Sequence, residues 1–238
     1  MGCLRYLASA LRSDIDADVS IVSTMMTSPT TAVMAAADRI FAYLKGCPNL
    51  GITYKASDMI LKAYTDASFD SEHGHKSRSG GYFYLGNKDD DGFINGAIAI
   101  TSRKQQSVVV SATEAEYVAL FDVALSTVYF RKLLRIFGHD QPPTTISCDN
   151  TVAVGLANGK VSDGRTKHVD RKFHWTREQV AAGVLRVIWQ AGKDNLADFF
   201  TKFVDDKTHE RFTGMMLTKI SSTPIPKSER LEPRGCVN

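Results

Sequence analysis

The sequence has little cysteine and no long apolar run. Its 4 cysteines are far apart and form no Cys-x-x-Cys pair, so their spacing indicates neither a zinc knuckle nor a disulfide framework. No apolar stretch reaches the roughly 18 residues that a membrane span requires, and the N-terminus lacks the apolar region of a signal peptide. We therefore expect a globular protein that is neither secreted nor attached to a membrane.

Charge of one sign is not in large excess either. The formal net charge is +3 over 238 residues, which permits nucleic-acid binding without requiring it. Hydrophobic residues make up 43% of the chain, enough to build a core. Length and composition together predict one ordinary domain with a smaller attachment.

The chain divides into three regions of different composition. Residues 1–56 are typical of short helices, with helix formers concentrated in residues 32–44. Residues 57–204 alternate strand and helix patterns. Residues 205–238 are expected to form a helix or turn followed by a disordered tail, because serines and prolines dominate the end of the chain.

The middle region predicts strands and helices in a definite order. Strands are expected at residues 60–68, 80–85, 96–102, 144–148 and 184–190. Helices are expected at residues 113–137, 151–157 and 168–182, and a last one begins near Asp194. Three strands followed by alternating helices and strands predict a layered α/β structure.

Four acidic residues fall where such a layered sheet would bring them together. Asp66 interrupts an apolar strand, Asp149 ends the fourth strand, Glu116 lies early in the long helix and Asp198 early in the last one. Clustered carboxylates repel one another and raise each other's pKa, so the cluster is stable chiefly with metal ions bound. Oxygen ligands suit magnesium or manganese.

These acids lie in sequence strings that resemble a known family. Six strings are similar to the successive motifs of the ribonuclease H domain of copia-type retroelement polyproteins: residues 63–68 (AYTDAS), 77–81 (SRSGG), 111–120 (SATEAEYVAL), 147–150 (SCDN), 165–170 (RTKHVD) and 195–202 (NLADFFTK). Three upstream strings resemble the end of the same family's reverse transcriptase: residues 4–8 (LRYLA), 43–46 (YLKG) and 49–54 (NLGITY).

The resemblance implies a fold and a reaction. It implies a ribonuclease H-like, five-stranded mixed sheet flanked by helices, with a small helical N-terminal attachment. It assigns catalysis and the binding of two Mg²⁺, or Mn²⁺, to Asp66, Glu116, Asp149 and Asp198, with Asp66 bridging both ions. The reaction would be in-line attack by water on the RNA strand of an RNA–DNA hybrid.

The same resemblance implies partners and a location. The partners would be the hybrid and the polymerase domain of a reverse transcriptase, and the location a cytoplasmic virus-like particle or the nucleus. Choice of hybrid would depend on duplex shape and the 2′-hydroxyl rather than on base sequence.

Two glutamates compete for the place in the acidic set. Ser111 and Glu114 have the spacing of a capping box, which would leave Glu116 free to bind metal. Thr113 and Glu116 have the same spacing, which would make Glu116 structural instead. Periodicity does not choose between them, and the similarity of AEYVAL to the family's helix favours Glu116 as the ligand.

A basic stretch follows the fourth strand and its short helix. Arg165, Lys167, His168 and Arg171 are candidate contacts to a phosphate backbone. A solvated helix face explains the same residues nearly as well.

Two other functions use the same fold. A non-catalytic nucleic-acid-binding remnant of a retroelement is one alternative, against which the four intact acids argue. An integrase or transposase is the other, but its late acidic residue is a glutamate, whereas the last helix here presents Asp198.

Overall fold

The computed structural model describes residues 1–89, 92–159 and 170–220. Seven strands occur in these ranges: β1 (Leu50–Gly51), β2 (Ile60–Glu72), β3 (Lys76–Gly86), β4 (Ala97–Lys104), β5 (Thr144–Cys148), β6 (Leu185–Trp189) and β7 (Thr218–Lys219). The α-helices are α1 (Gly2–Ala10), α2 (Asp16–Thr24), α3 (Thr31–Gly46), α4 (Ala112–Ile136), α5 (Thr151–Ala157), α6 (Asp170–Ala181) and α7 (Asp206–Met216).

Five of the strands form one mixed sheet in the order β4-β3-β2-β5-β6. The first three strands of this sheet along the chain pair antiparallel, and β5 and β6 add to it in parallel. Helices cover the sheet, so the expected five-stranded mixed sheet flanked by helices is confirmed. Within the described ranges, no helix is both long enough and apolar enough to cross a membrane.

Neighbouring residues of each strand contribute to two separate cores. Ala63 and Phe83 face a core built with α4, α5 and α6, whereas Tyr64 and Tyr82 face a core built with residues 196–217. This alternation follows from the two-residue period of a strand, which sends successive side chains to opposite faces. Because both faces are covered, the centre of the sheet is buried.

The N-terminal residues form three helices with a small core of their own. Leu4, Val19, Val22 and Ile40 are among the buried residues that α1, α2 and α3 share. The predicted helix at residues 32–44 extends over Thr31–Gly46. The two-stranded sheet of β1 and β7 links this part of the chain to the segment after α7, a pairing that the sequence did not indicate.

Strand and helix positions follow the sequence closely in the middle of the chain. β5 and α5 have the predicted bounds, and α4 lies within one residue of its predicted ends, stopped by Gly138 with a φ of 86°. β2 and β3 extend beyond their predicted bounds, β4 begins one residue later and ends two residues later than predicted, and β6 is one residue shorter at each end. The predicted beginning of α6 and the tail after Ile220 lie outside the described residues.

The helix predicted to begin near Asp194 is wrong. Two short 3-10 segments, Gly192–Asp194 and Leu196–Phe200, stand in its place, and α7 begins later. Asn195 separates them because its extended backbone (φ −84°, ψ 103°) cannot continue a helix. Its side chain instead donates to the Thr65 carbonyl of β2 at 2.9 Å and accepts from the Ala197 amide. We call Leu196–Phe200 the Asp198 turn.

A glycine of β3 lets the Asp198 turn pack directly on the sheet. A Cβ at Gly80 would lie 2.5 Å from the Ala197 carbonyl oxygen and 2.7 Å from Cγ2 of Thr201. Backbone cannot easily move away from such a contact, so no side chain fits at this position.

Replacing this glycine should therefore displace the turn. We expect Gly80→Ala to lower the free energy of unfolding by about 1–3 kcal/mol, as overpacking does, measured by urea denaturation. The matched control is Gly214→Ala in α7, where a Cβ has open space. That change should raise stability by roughly 0.5–1 kcal/mol, as is usual inside a helix. Equal stability of Gly80→Ala and the unmodified protein would contradict the packing described.

Candidate metal centre

Two of the predicted carboxylates lie directly after the last paired residues of two parallel strands. β2 and β5 pair from Lys62 opposite Thr145 to Thr65 opposite Cys148. Asp66 and Asp149 are each the next residue, so the pairing places them side by side where β5 ends. Asp66 is 4% exposed, and Asp149 is half-buried.

The Asp198 turn brings the third carboxylate to this position. Thr201, directly after the turn, donates from its hydroxyl to Oδ2 of Asp66 at 2.8 Å. Asp198 is half-buried, and its Oδ1 accepts from Nζ of Lys202 at 2.5 Å. The charge of Asp198 contributes, after burial, to the raised pKa of both Asp66 and Asp149. These three carboxylates therefore share one electrostatic environment.

Helix α4 contributes the fourth carboxylate, and its N-terminal cap determines which glutamate is available. Ser111 accepts from the Glu114 amide at 3.2 Å, and the Glu114 carboxylate accepts from the Val110 amide at 2.9 Å. Glu114 is thus used in the cap. Glu116 lies two residues further along α4 and accepts a backbone hydrogen bond from Ala67, the neighbour of Asp66. The structure accordingly places Glu116, not Glu114, among the aspartates.

Burial and mutual repulsion make the ionised form of these carboxylates unfavourable. Burial, followed by the charges of Asp66 and Asp149, raises the pKa of Glu116 to about 9. Burial, followed by the charge of Asp198, raises the pKa of Asp66 to about 7. Oε2 of Glu116 is buried without a hydrogen-bond partner among the described residues. A buried acceptor of this kind costs free energy unless a proton or a cation satisfies it.

The residues fit a hard divalent cation. Ligand atoms of Glu116, Cys148 and Asp149 all lie within 4.8 Å of one another, with Asp66 and Asp198 close enough to shift the pKa of Glu116. Burial, and then the charge of Glu116, raises the pKa of the Cys148 thiol far above its ordinary value, so this thiol stays protonated. The available donors are therefore carboxylate oxygens, which magnesium and manganese prefer.

One cation of the chain itself already lies at the cluster. Burial lowers the pKa of Lys202, but its hydrogen bond to Asp198 and the charge of that residue outweigh burial, and the pKa is raised. Lys202 therefore stays protonated and offsets part of the negative charge. Thr201 and Lys202 belong to the NLADFFTK string, but nothing in the string alone assigns them a role; the signal that the sequence offers is their place three and four residues after Asp198.

The predicted nucleic-acid contacts are described only in part. Arg165, Lys167 and His168 lie outside the described residues. Arg171 is exposed near the beginning of α6. Trp189, in β6, lies next to one of the carboxylates: it is 54% exposed, and its indole N–H donates to the Asp149 carbonyl at 3.0 Å.

Comparison with known proteins identifies relatives of most of the chain. It is 35% identical over 231 residues to the Retrovirus-related Pol polyprotein from transposon RE1 of Arabidopsis thaliana, covering 96% of this chain and 15% of that protein. It is 32% identical over 204 residues to the Retrovirus-related Pol polyprotein from transposon TNT 1-94 of Nicotiana tabacum, covering 86% of this chain and 15% of that protein. The chain thus spans about 15% of the length of these relatives.

Solved structures have lower sequence identity to this chain than these relatives do. The crystal structure of LC11-RNase H1 in complex with RNA/DNA hybrid is 18% identical, with a TM-score of 0.42 over 59% of this chain and 93% of that one. A score of this size does not by itself establish a shared fold, so the architecture rests on the strand pairing described above. No protein-family model matches the chain.

The raised pKa values predict how the metal-free protein responds to pH. A carboxyl group whose pKa is raised on folding stabilises the folded state below its unfolded pKa, and this stabilisation is lost as the pH rises through the folded pKa. Asp66 titrates near 7 and Glu116 near 9. We therefore expect the free energy of unfolding in EDTA to fall from pH 5 to pH 9.

Denaturant titrations at several pH values test this expectation. Glu116→Gln should remove the part of the decrease that occurs above pH 7, whatever its effect on stability at pH 5. Magnesium should oppose the decrease, because it binds the ionised carboxylates of the folded state only. A free energy of unfolding that is constant or rises with pH in EDTA would contradict the raised pKa values of Asp66 and Glu116.

Proposed function

Because the homologues of this chain are retrovirus-related Pol polyproteins of plant transposons, we propose that it is a ribonuclease H-like retroelement segment that hydrolyses the RNA strand of RNA–DNA hybrids. The observation that carries the proposal is the convergence of Asp66 from β2, Asp149 from the end of β5, Asp198 from its turn and Glu116 from α4. Each of these residues lies in a string that resembles the corresponding family motif.

The four carboxylates have the chemistry of a divalent metal centre. Bound Mg²⁺ or Mn²⁺ would supply the positive charge and Lewis acidity that activate water and stabilise a leaving oxygen. Asp66, Glu116, Asp149 and Asp198 would hold two such ions, with Asp66 shared by both, as the family resemblance implies. The unpartnered oxygen of Glu116 and the raised pKa of Asp66 support this assignment.

Other residues of the chain keep the carboxylates in place. Thr201 donates to Asp66 and so fixes which oxygen remains free. The Ala67 amide does the same for Glu116. Lys202 holds Asp198 and keeps part of its charge compensated before substrate arrives. These hydrogen bonds reduce the reorganisation that binding would otherwise require.

The substrate would approach from the side on which Asp149 and Asp198 are partly exposed. Trp189 is exposed there and is held by its bond to the Asp149 carbonyl. Arg165, Lys167, His168 and Arg171 stay candidate contacts to phosphates. The polymerase domain of a reverse transcriptase stays a proposed partner, since the N-terminal strings resemble the end of that enzyme.

The proposed activity is tested with purified protein, magnesium and a hybrid labelled on both strands. Cleavage confined to the RNA strand and abolished by EDTA is the expected result. Binding without cleavage would support the alternative, a non-catalytic nucleic-acid-binding remnant. Strand joining would instead identify a transposase-like enzyme.

Asp149→Asn should remove most of the cleavage while keeping the fold. An amide has the shape of the carboxylate but not its charge, and several kcal/mol of transition-state stabilisation depend on bound metal. The rate should therefore fall by roughly 100-fold or more. Asp140→Asn is the matched control, because the Asp140 side chain is 95% exposed and pairs only loosely with Arg135, at 3.9 Å. Near-normal cleavage by Asp149→Asn would refute the site assignment.

Trp189→Ala should weaken hybrid binding rather than chemistry. The bases of a hybrid duplex are already stacked, so the ring would pack against sugars; losing an aromatic contact of about 1 kcal/mol should raise KM roughly 5-fold with kcat little changed. Trp189→Phe should retain part of the affinity. Tyr129→Ala is the control, since Tyr129 is 58% exposed but lies about 20 Å along α4 from Glu116. Equal KM values for Trp189→Ala and Tyr129→Ala would exclude the contact.

A further inference from the structure

An arginine of β3 is buried completely and joins separate parts of the chain. Arg78 is 0% exposed. Its Nε donates to Oε1 of Glu72 at 2.5 Å, which offsets its charge. Its Nη1 donates to the hydroxyls of Ser20 and Ser102 at 2.8 and 3.0 Å. Burial of a guanidinium costs free energy unless such partners are present, so Arg78 and its partners fix one another's positions.

The hydroxyls of Ser20 and Ser102, which accept from Arg78, each donate to a backbone carbonyl. Ser20 lies in α2 and donates to the Ser102 carbonyl at 2.7 Å. Ser102 lies in β4 and donates from its hydroxyl to the Phe200 carbonyl, also at 2.7 Å. Each hydroxyl thus accepts from Arg78 and donates its single proton onward, which leaves no ambiguity in the direction of the hydrogen bonds.

The Phe200 carbonyl is the last one of the Asp198 turn. The final carbonyls of a short helix have no partner within the helix, so they need an outside donor or water. Ser102 is that donor and is itself 3% exposed, which excludes water as a ready substitute. The bond therefore fixes the C-terminal end of the segment that presents Asp198, next to Thr201, which binds Asp66.

We propose that Ser20, Arg78 and Ser102 are positioning residues for Asp198, and that helix α2 of the N-terminal segment is for this reason a functional part of the catalytic unit. The proposal rests on the proposed function. The four-residue polar connection from α2 to Phe200 gives the turn one orientation, since hydrogen bonds are directional. Apolar packing alone, as between Phe200 and Tyr82, would tolerate a small shift of the turn.

The test compares Ser102→Ala with a rescue variant and a matched control. Ser102→Thr keeps a hydroxyl at the same position. Thr127→Val removes an equally buried hydroxyl of α4, which donates only to the Val123 carbonyl of its own helix. The readouts are hydrogen exchange of residues 196–202 in metal-free protein, magnesium affinity by calorimetry, and the kcat and KM for hybrid cleavage.

Ser102→Ala should loosen the turn and weaken the site without affecting substrate binding. A lost hydrogen bond of ordinary strength corresponds to about a 5- to 10-fold effect, so exchange in the turn should be faster by that factor. Magnesium affinity and kcat should fall 3- to 10-fold, with KM unchanged. Ser102→Thr should restore all three readouts, and Thr127→Val should alter none of them. Ser20→Ala should reproduce the pattern of Ser102→Ala in weaker form.

The outcomes separate the two proposals. If hydrogen exchange, magnesium affinity and kcat are the same in Ser102→Ala as in Thr127→Val, the role of Ser102 is only structural and the positioning proposal is overturned. If Ser20→Ala leaves all readouts unchanged while Ser102→Ala alters them, the part assigned to α2 is overturned. If exchange and magnesium affinity respond as expected but no form of the protein cleaves hybrid, positioning stands and the proposed ribonuclease activity fails.

Discussion

The parallel pairing of β2 with β5 places two aspartates side by side, and the surrounding structure compensates for their repulsion. The pairing ends at Thr65 and Cys148, so Asp66, which is buried, and Asp149, which is half-buried, follow together where β5 ends. Two like charges there raise each other's pKa and oppose folding. Thr201, the Ala67 amide and Lys202 each donate to a carboxylate of the cluster and reduce that cost without removing it.

The Asp198 turn makes this compensation possible because it is anchored from several sides. Asn195 fixes its beginning to β2, and Ser102 fixes its end from β4. Gly80 of β3, which pairs with Asp66, leaves room for the turn to lie directly on the sheet. A regular α-helix at this position could not make these bonds together, because they require the extended backbone of Asn195 and an early end at Phe200.

Sequence reasoning succeeded where local patterns decide the structure and failed where distant residues do. The bounds of β5 and α5 follow from short apolar periods and from the cap at Asn150. The Asp198 turn was missed because Asn195 bonds to Thr65, 130 residues earlier, and nothing local shows this. The four acids could be selected by motif, but their convergence depends on strand order, which no single string contains. The roles of these acids as metal ligands remain a prediction.

The electrostatic cost of the cluster also bears on the alternative of a non-catalytic remnant. A purely structural site would gain nothing from an ionisable group at position 116, because burial and the neighbouring aspartates raise the pKa of Glu116 to about 9 and its buried Oε2 has no partner among the described residues. A nucleic-acid-binding surface would gain affinity if Asp149 and Asp198, which are partly exposed, were neutral or basic, because phosphates repel carboxylates. Neither role accounts for four acids gathered together, three of which are held by hydrogen bonds from Thr201, Lys202 and the Ala67 amide. A bound divalent cation would account for both features, since it would satisfy the buried oxygen and offset the negative charge that a phosphodiester meets.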